Sequence, residues 1–420
     1  MSGAVKSNVF GSSGTVAAAA GGLKWESVVT ASTVTVESNR GYFINTTDNA
    51  CTVTLPASPD VGDQVILLDY ARTWDTNAIT IDSNGNDFQN QSDDYIVDYD
   101  TEGQGVNIVF SGSTNGWIPN SDIANAFDHT PPPTQKAIFA FGRNASSAAI
   151  NVSNLVNSSG VVASDTSGVG TARWGLSAAT YGGDKAIFAF GTTGSATNIS
   201  NLVNNSGVVQ ADTTGVGTAR LSLSGAEYGG DKAIFTLGST SVTNLVSNSG
   251  VVASDVTQVG TEGKLAGAVQ FGGDKAIIYG GERGAGQVNF SNLVSNVGVI
   301  SANVTGVGTA RTAPCGVPYG SSGQSLFAYG AAAGGYVNTR NLVSNLGVIA
   351  SDSTGAGATR QETGGARYGG DKAIFAFGIA DAGRIDESNL VTNTGGIGSD
   401  VTGVGTNRND CGAAGYSTSA

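Results

Sequence analysis

The stretch YGGDKAIFAFG fills residues 181–191 and returns unchanged at 368–378, with near copies YGGDKAIFTLG at 228–238 and FGGDKAIIYGG at 271–281. Its Gly-Gly-Asp is a tight-turn signal, because glycine reaches positive φ without a Cβ clash. Its Lys-Ala-Ile-Phe-Ala-Phe-Gly is a strand-length apolar run closed by glycine. A turn and a strand repeated almost letter for letter mean that one small unit is built many times.

Two further markers fix the period. Asn-Leu-Val places its leucine at Leu155, Leu202, Leu245, Leu293, Leu342 and Leu390, spaced 47, 43, 48, 49 and 48 apart. The last glycine of Gly-Val-Gly or its variant follows 15 residues later each time, at Gly170, Gly217, Gly260, Gly308, Gly357 and Gly405. Eleven residues on stands an aromatic: Tyr181, Tyr228, Phe271, Tyr319, Tyr368 and Tyr416. The variation in length is therefore confined mostly to the connection between KAIFAFG and the next Asn-Leu-Val.

Each period offers four strand-like segments: a small-residue one such as TARWGLSAATY, then KAIFAFG, SNLVNSSG and VVASD. Four strands per repeat of about 45 residues is the pattern of a β-propeller blade, and the 3.6-residue periodicity of a helical solenoid is absent. Six periods predict an all-β fold whose larger part is a six-bladed propeller at 136–420. The phase predicts its closure. QKAIFAFG at 135–142 has no small-residue strand before it, whereas NRNDCGAAGYSTSA at 407–420 is such a strand with no KAIF after it. Pairing these two segments removes the open edges of a linear array. The Ala- and Gly-rich strand suits the crowded innermost position and KAIFAFG the next one out.

This order of segments resembles the kelch repeat family. The resemblance covers 136–420 and implies fold and topology, not partners; only Tyr279-Gly280-Gly281 keeps that family's double glycine.

Residues 25–120 carry no repeat. WESVVTASTVTVES, GYFINTT, CTVTLP, DQVILLDYA, NAITIDS, VNIVFSG and GWIP predict a compact antiparallel, sandwich-like β domain. Before it, residues 1–24 predict an extended attachment arm; after it, 121–135 predict a linker stiffened by Pro131, Pro132 and Pro133. RGYFINTTDNACTVTLPASPDVGDQVILLDYARTWDTNAITI with GWIPNSD resembles the N-terminal β module of structural proteins from tailed bacteriophages of aquatic hosts such as cyanophages. NLVSNSGVVASD, GVGTAR and YGGDKAIFAFG resemble the distal part of tail-fibre or related virion proteins of those phages. That resemblance implies a virion component attached through residues 1–120, with the propeller exposed towards a host-surface glycan or protein receptor.

Composition narrows the chemistry. The formal charge is −13, with no basic block, which argues against a nucleic-acid partner. No apolar run approaches the length that spans a bilayer, and the first residues lack a secretory core, so the expectation is a soluble protein made in the host cytoplasm and assembled into the virion, with no membrane insertion. Among 420 residues, 63 are glycine and only 13% are charged. Cys51, Cys315 and Cys411 are far apart and odd in number, which suits small buried residues rather than disulfides or zinc. His129, the single histidine, sits beside the prolines of the linker and suits no catalytic triad. The repeated aspartates are equivalent, whereas a glycosidase needs unique acids. DSNGND at 82–87 has the alternating oxygens of a calcium loop, but Asn-Gly is equally a turn signal. The expectation is a non-enzyme with neither cofactor nor metal.

Two sets of residues are candidates for binding. One is a cation ring at the openings of the inner strands: Arg173, Arg220, Lys264, Arg311, Arg360 and Arg408. The other reading of these residues is pairing with Asp165, Asp212, Asp255, Asp352 and Asp400 in the preceding turns. The second set is the variable connections after KAIFAFG, marked by Arg143, Thr192, Ser239, Arg283, Tyr336 and Arg384. Loops that vary on a rigid frame commonly carry binding, and surface turns also drift when nothing constrains them. The function expected is a tail fibre or tail-tip appendage that recognises the host, with a homo-oligomer among its expected partners; the alternatives are a purely structural or decorating protein of head or baseplate without a receptor, and a kelch-like scaffold of a host cell.

Overall fold

The computed structural model describes residues 23–92, 96–121, 133–258, 260–284 and 286–420. The described residues form strands, turns and bridges with no helix, so the chain is all-β. It divides into two compact units, residues 1–129 and 130–420. Residues 1–22 of the expected arm and most of the expected linker, with His129, lie outside the described residues, while Lys24, expected in the arm, belongs to a strand.

The first unit departs from the antiparallel sandwich expected. Its strands are β1 (Lys24–Trp25), β2 (Thr33–Thr35), β3 (Arg40–Ile44), β4 (Cys51–Thr54), β5 (Gln64–Asp69), β6 (Ile79–Asp82), β7 (Val97–Tyr99), β8 (Gly105–Phe110) and β9 (Trp117–Pro119). The chain crosses back and forth between two sheets. β1, β3 and β5 pair in parallel in one, and β2, β4 and β6 in parallel in the other. Only β7, β8 and β9 pair antiparallel, closing the two sheets. Alternate residues point inwards, and Ile44, Val53, Val65, Leu67, Ile79, Ile81, Ile108 and Trp117 share one core. Alternation at period two looks the same for parallel and antiparallel pairing, which is why the sequence named the strands and not their partners.

Residues 82–87 make a turn in which Asn84 and Gly85 hold positive φ. The Asp82 carboxylate accepts hydrogen bonds from Thr54 Oγ1 and the Asn84 N–H, while the Asn84 side chain donates to the Leu55 carbonyl. The letters thus serve the turn.

The second unit contains six principal sheets. Their first strands are Ser177–Tyr181, Leu223–Tyr228, Gly267–Phe271, Cys315–Tyr319, Gly364–Tyr368 and Gly412–Tyr416, each antiparallel to a KAIF-type second strand. Gly412–Tyr416 pairs with Lys136–Asn144, as the phase of the repeat requires. The third strands carry Asn-Leu-Val. The fourth segments touch them sparsely, through bridges such as Val156 to Val162 and Val203 to Val209.

Each first strand also packs on the next one, and Gly412–Tyr416 packs on Ser177–Tyr181. Six separate apolar clusters lie between neighbouring sheets, one for each contact of this circuit. Within them an aromatic of one sheet meets a phenylalanine of the next at about right angles or tilted: Phe141 with Phe188 at 5.5 Å, Phe190 with Phe235 at 5.7 Å, Tyr329 with Phe375 at 5.2 Å. Such pairs contribute about 0.5–1.5 kcal/mol each beyond area burial.

The repeated turn has its own reason. The first glycine of each turn donates its N–H to the turn of the following sheet: Gly182 to Asp231 O, Gly229 to Asp274 O, Gly272 to Gly323 O, Gly320 to Asp371 O and Gly369 to Gln135 O, at 2.6–2.9 Å. Ser417 completes the set by donating to Asp184 O at 2.7 Å. Gly182 has φ of 60°, and a Cβ there would stand 2.8 Å from Asn248 O. Gly-Gly-Asp recurs because every turn must leave its backbone bare for its neighbour.

Candidate functional site

The inner-strand arginines do not form an open cation ring. Arg173, Arg311, Arg360 and Arg408 are wholly buried and Arg220 nearly so. Each guanidinium lies over an aromatic ring of the preceding sheet: Arg173 over Phe141 at 4.2 Å, Arg220 over Phe190 at 4.0 Å, Arg311 over Tyr279 at 5.3 Å, Arg360 over Tyr329 at 4.4 Å and Arg408 over Phe377 at 3.7 Å. Hydrogen bonds hold them from the other side. Arg408 donates to Asn154 Oδ1 and Arg311 to Asn341 Oδ1, both at 2.7 Å, and Arg173 donates through Nε to the Phe190 carbonyl at 2.8 Å. Burial lowers Arg173 and Arg220 to about 10, against the pull of Asp212 and Asp255, so both stay charged near neutrality.

The aspartate partners also differ from the expected ones. Arg408 lies 3.8 Å from Asp165, Arg311 3.8 Å from Asp352 and Arg360 3.8 Å from Asp400. These are the aspartates of the arginine's own sheet, not of the turn before it, because the chain enters a sheet by its first strand and reaches the fourth about 40 residues later. Each aspartate clasps the entry of that first strand. Thr171, Thr218, Thr309 and Thr406 donate Oγ1 to Asp212, Asp255, Asp352 and Asp165 at 2.5–2.6 Å. The asparagine of Asn-Leu-Val steadies the same carboxylate, as Asn154 does Asp165 at 2.9 Å. For Asp165 partial burial acts upwards, but the bonds from Thr406 and Asn154 with the charge of Arg408 together hold it below the usual carboxylate range. Asp212, Asp255 and Asp352 are lowered in the same way.

Lys264 breaks the pattern and shows what the slot requires. Lys264 points outwards to Glu282 at 3.5 Å, and the buried guanidinium comes instead from Arg283 on the facing strand. Arg283 is 5% exposed, donates to Thr261 O at 2.5 Å and lies 5.4 Å from the Phe290 ring centre. Arg283 is thus a structural replacement for a missing arginine and not the loop receptor residue expected.

Of the other loop candidates, Thr192 is buried and bonded to the backbone of Trp174, and Ser239 is exposed with φ of 62°. Tyr336 is half-buried opposite Ala331. Arg143 and Arg384 are brought together. Arg143 lies 4.7 Å over Trp174 and pairs in register with Asn409; Arg384 donates Nε to Asn409 Oδ1 at 2.5 Å.

Asn409 leads to two acids that no repeat pattern had singled out. Its Nδ2 donates to Glu362 Oε2 and to Asp410 Oδ2. Burial, and then the neighbouring Glu362, push Asp410 well above the usual carboxylate range, while Arg143 and Arg384 pull the other way. Glu362 and Asp410 hold the left-handed backbone position that opens their strands, equivalent to Gly175, Ser222, Leu265 and Ala313. At that level the backbone again links sheet to sheet, with Ser222 N–H donating to Gly175 O and Leu265 N–H to Ser222 O. A cavity of about 150 Å³ opens there, lined by all six residues. The signal was in the sequence as a departure from the repeat: acids at two of six aligned positions that otherwise carry Gly, Ser, Leu and Ala.

A second cavity, of about 310 Å³, lies at the turn ends of the same six first strands. Both cavities share Ala178, Gly225, Ala268, Gly316, Gly365 and Ala413 in their walls. The loop end therefore combines variable connections with an Arg, Asn and paired-carboxyl cluster, and the turn end is a separate chamber. Comparison with known families finds no family model that matches the chain. No curated protein matches it either.

Proposed function

We propose that the second unit is a six-bladed β-propeller closed by its C-terminal strand, and that the chain is a tailed-bacteriophage virion protein using the propeller's loop end to recognise a host-surface glycan or protein. Attachment to the particle, by way of other virion proteins, falls to residues 1–120. The reading is non-enzymatic, without nucleic acid, cofactor or metal. The circuit of neighbouring first strands, with one core at each contact, supports the propeller. The single observation that carries recognition is the gathering of Arg143, Arg384, Asn409, Glu362 and Asp410 at the end where the connections vary. Such a cluster donates and accepts hydrogen bonds over a short span, which suits hydroxyl-rich or charged ligands. The sequence resemblance to phage tail proteins supplies the biological setting.

The test is saturation binding of the labelled full chain to intact host bacteria, in competition with phage adsorption. Saturable, competed binding that falls with Arg384→Ala supports recognition at this end. Absence of binding by the folded chain overturns it. One observation favours the structural alternative. Val161, Val208, Val251, Val299 and Val348 repeat around the outer edges at 53–65% exposure, and repeated exposed valines suit cover by a neighbouring virion subunit.

A further inference from the structure

The chamber at the turn end carries chemistry that the repeat does not need. The residue just before each aromatic marker faces it, and in chain order these are Thr180, Glu227, Gln270, Pro318, Arg367 and Gly415. The aromatic marker that follows and the KAIF-type strand it pairs with are nearly uniform in the six sheets, because the packing problem there is the same in each. At this position the six differ completely. Glu227 and Arg367 stand on first strands three steps apart in a circuit of six, which places them on opposite walls.

Opposite charges on facing walls of a small chamber ordinarily close into an ion pair. These do not: among the described residues neither forms one, and Arg367 Nε is buried without a hydrogen-bond partner. Burial pushes Glu227 up to about 8, Arg367 pulls it down and Asp231 adds a smaller push upwards; these are the charged groups that act on it. Burial likewise lowers Arg367, opposed by Glu227 and Asp371. Burying an arginine and a carboxyl in such a site without pairing them is costly to folding, and packing gives no return for it.

We propose that this chamber binds a small zwitterion of amino-acid size, its carboxylate on the Arg367 guanidinium and its ammonium group on the Glu227 carboxylate. The planar fork of arginine matches a carboxylate. Gln270, whose Nε2 donates to Gly273 O, keeps its carbonyl oxygen as an acceptor for a second ammonium proton. Pro318 and Gly415 bring no competing side-chain donor and leave the volume free. The volume of about 310 Å³ accommodates such a molecule with a short side chain. The site lies at the other end of the first strands from the loop cluster and does not rest on the recognition proposed there.

Isothermal titration of the full chain with glycine, L-alanine and L-glutamine tests this, with acetate and ethylamine as single-charge controls. At least one of the zwitterions saturates the protein one to one, and each control binds at least about tenfold more weakly, a difference of about 1.4 kcal/mol. Glu227→Gln and Arg367→Met each weaken binding by about tenfold or more. Binding tightens from pH 6 to pH 8.5 as Glu227 ionises, and this pH dependence vanishes in Glu227→Gln. Failure of all three zwitterions to saturate the folded chain overturns the proposal, as does binding that survives both substitutions. Calorimetric unfolding of each variant distinguishes loss of the site from loss of the fold.

Discussion

Ala358 stands where four other sheets have a threonine bonded to an aspartate and a fifth has Thr261 facing Asn303, and replacing it with threonine is a sharp test of the aspartate clasp. In those four sheets the hydroxyl donates to a carboxylate at 2.5–2.6 Å, and the threonine N–H donates to the same group. At Ala358 only the backbone bond to Asp400 exists, at 3.0 Å. Ala358→Thr supplies the missing donor without moving the chain. A hydrogen bond to a charged acceptor contributes about 1.5–3 kcal/mol when well shielded. Ala358 is exposed, so solvent screening reduces the expected gain to about 1 kcal/mol. For a unit of this size that corresponds to about 2 °C in the midpoint of unfolding. Differential scanning calorimetry of the full chain reads it in the transition of the second unit. Ala358→Val, with the same shape and no hydroxyl, gives no gain, and the gain from threonine disappears in an Asp400→Asn background. Equal effects of valine and threonine, or a destabilising threonine, would refute the argument that the clasp is electrostatic.

The remaining predictions concern the buried arginines, pH and closure. Arg283→Ala costs about 2 kcal/mol by emptying the guanidinium slot and losing its packing, and adding Lys264→Arg restores part of it; denaturant unfolding of the single and double variants measures this, and no recovery means that the slot is not shared. The depressed carboxylates of Asp165, Asp212, Asp255 and Asp352 stabilise above the unfolded carboxyl range near pH 4, and that stability is lost as pH falls through their folded values; a midpoint that is flat from pH 5 to pH 2 contradicts this. Glu227 has the opposite sign: the unfolded carboxyl loses its proton near pH 4 and the folded one near 8, so stability falls as pH rises between them, and Glu227→Gln abolishes that fall in a pH series of unfolding midpoints. Removing residues 412–420 unpairs Lys136–Asn144 and bares the cores on both sides of its sheet, so the second unit loses cooperative unfolding in calorimetry.

Much of the second unit was legible. The fixed offsets among Asn-Leu-Val, Gly-Val-Gly and the aromatic marker located the strands, and the split phase at 135–142 and 407–420 named the partners that pair across the whole unit. The candidate site was less legible. Arginines at the strand openings left two readings, an open cation ring or pairing with aspartates, and neither foresaw that stacking on aromatics and bonding to asparagine carbonyls makes them core residues. Glu362, Asp410, Glu227 and Arg367 were passed over because reading for a repeat attends to what recurs, and these are the places where it fails.

The sequence by itself determined the unit and its number, because turn chemistry, strand length and the glycine demanded by a positive φ are local properties repeated in phase. Only the tertiary structure decided who pairs with whom in residues 25–120, where period-two alternation is blind to strand direction. It alone decided that Arg283 takes the place left by Lys264, and that acids far apart in the chain face one small space. Those outcomes depend on distances between segments tens of residues apart, set by how the sheets pack and not by any neighbour in the chain.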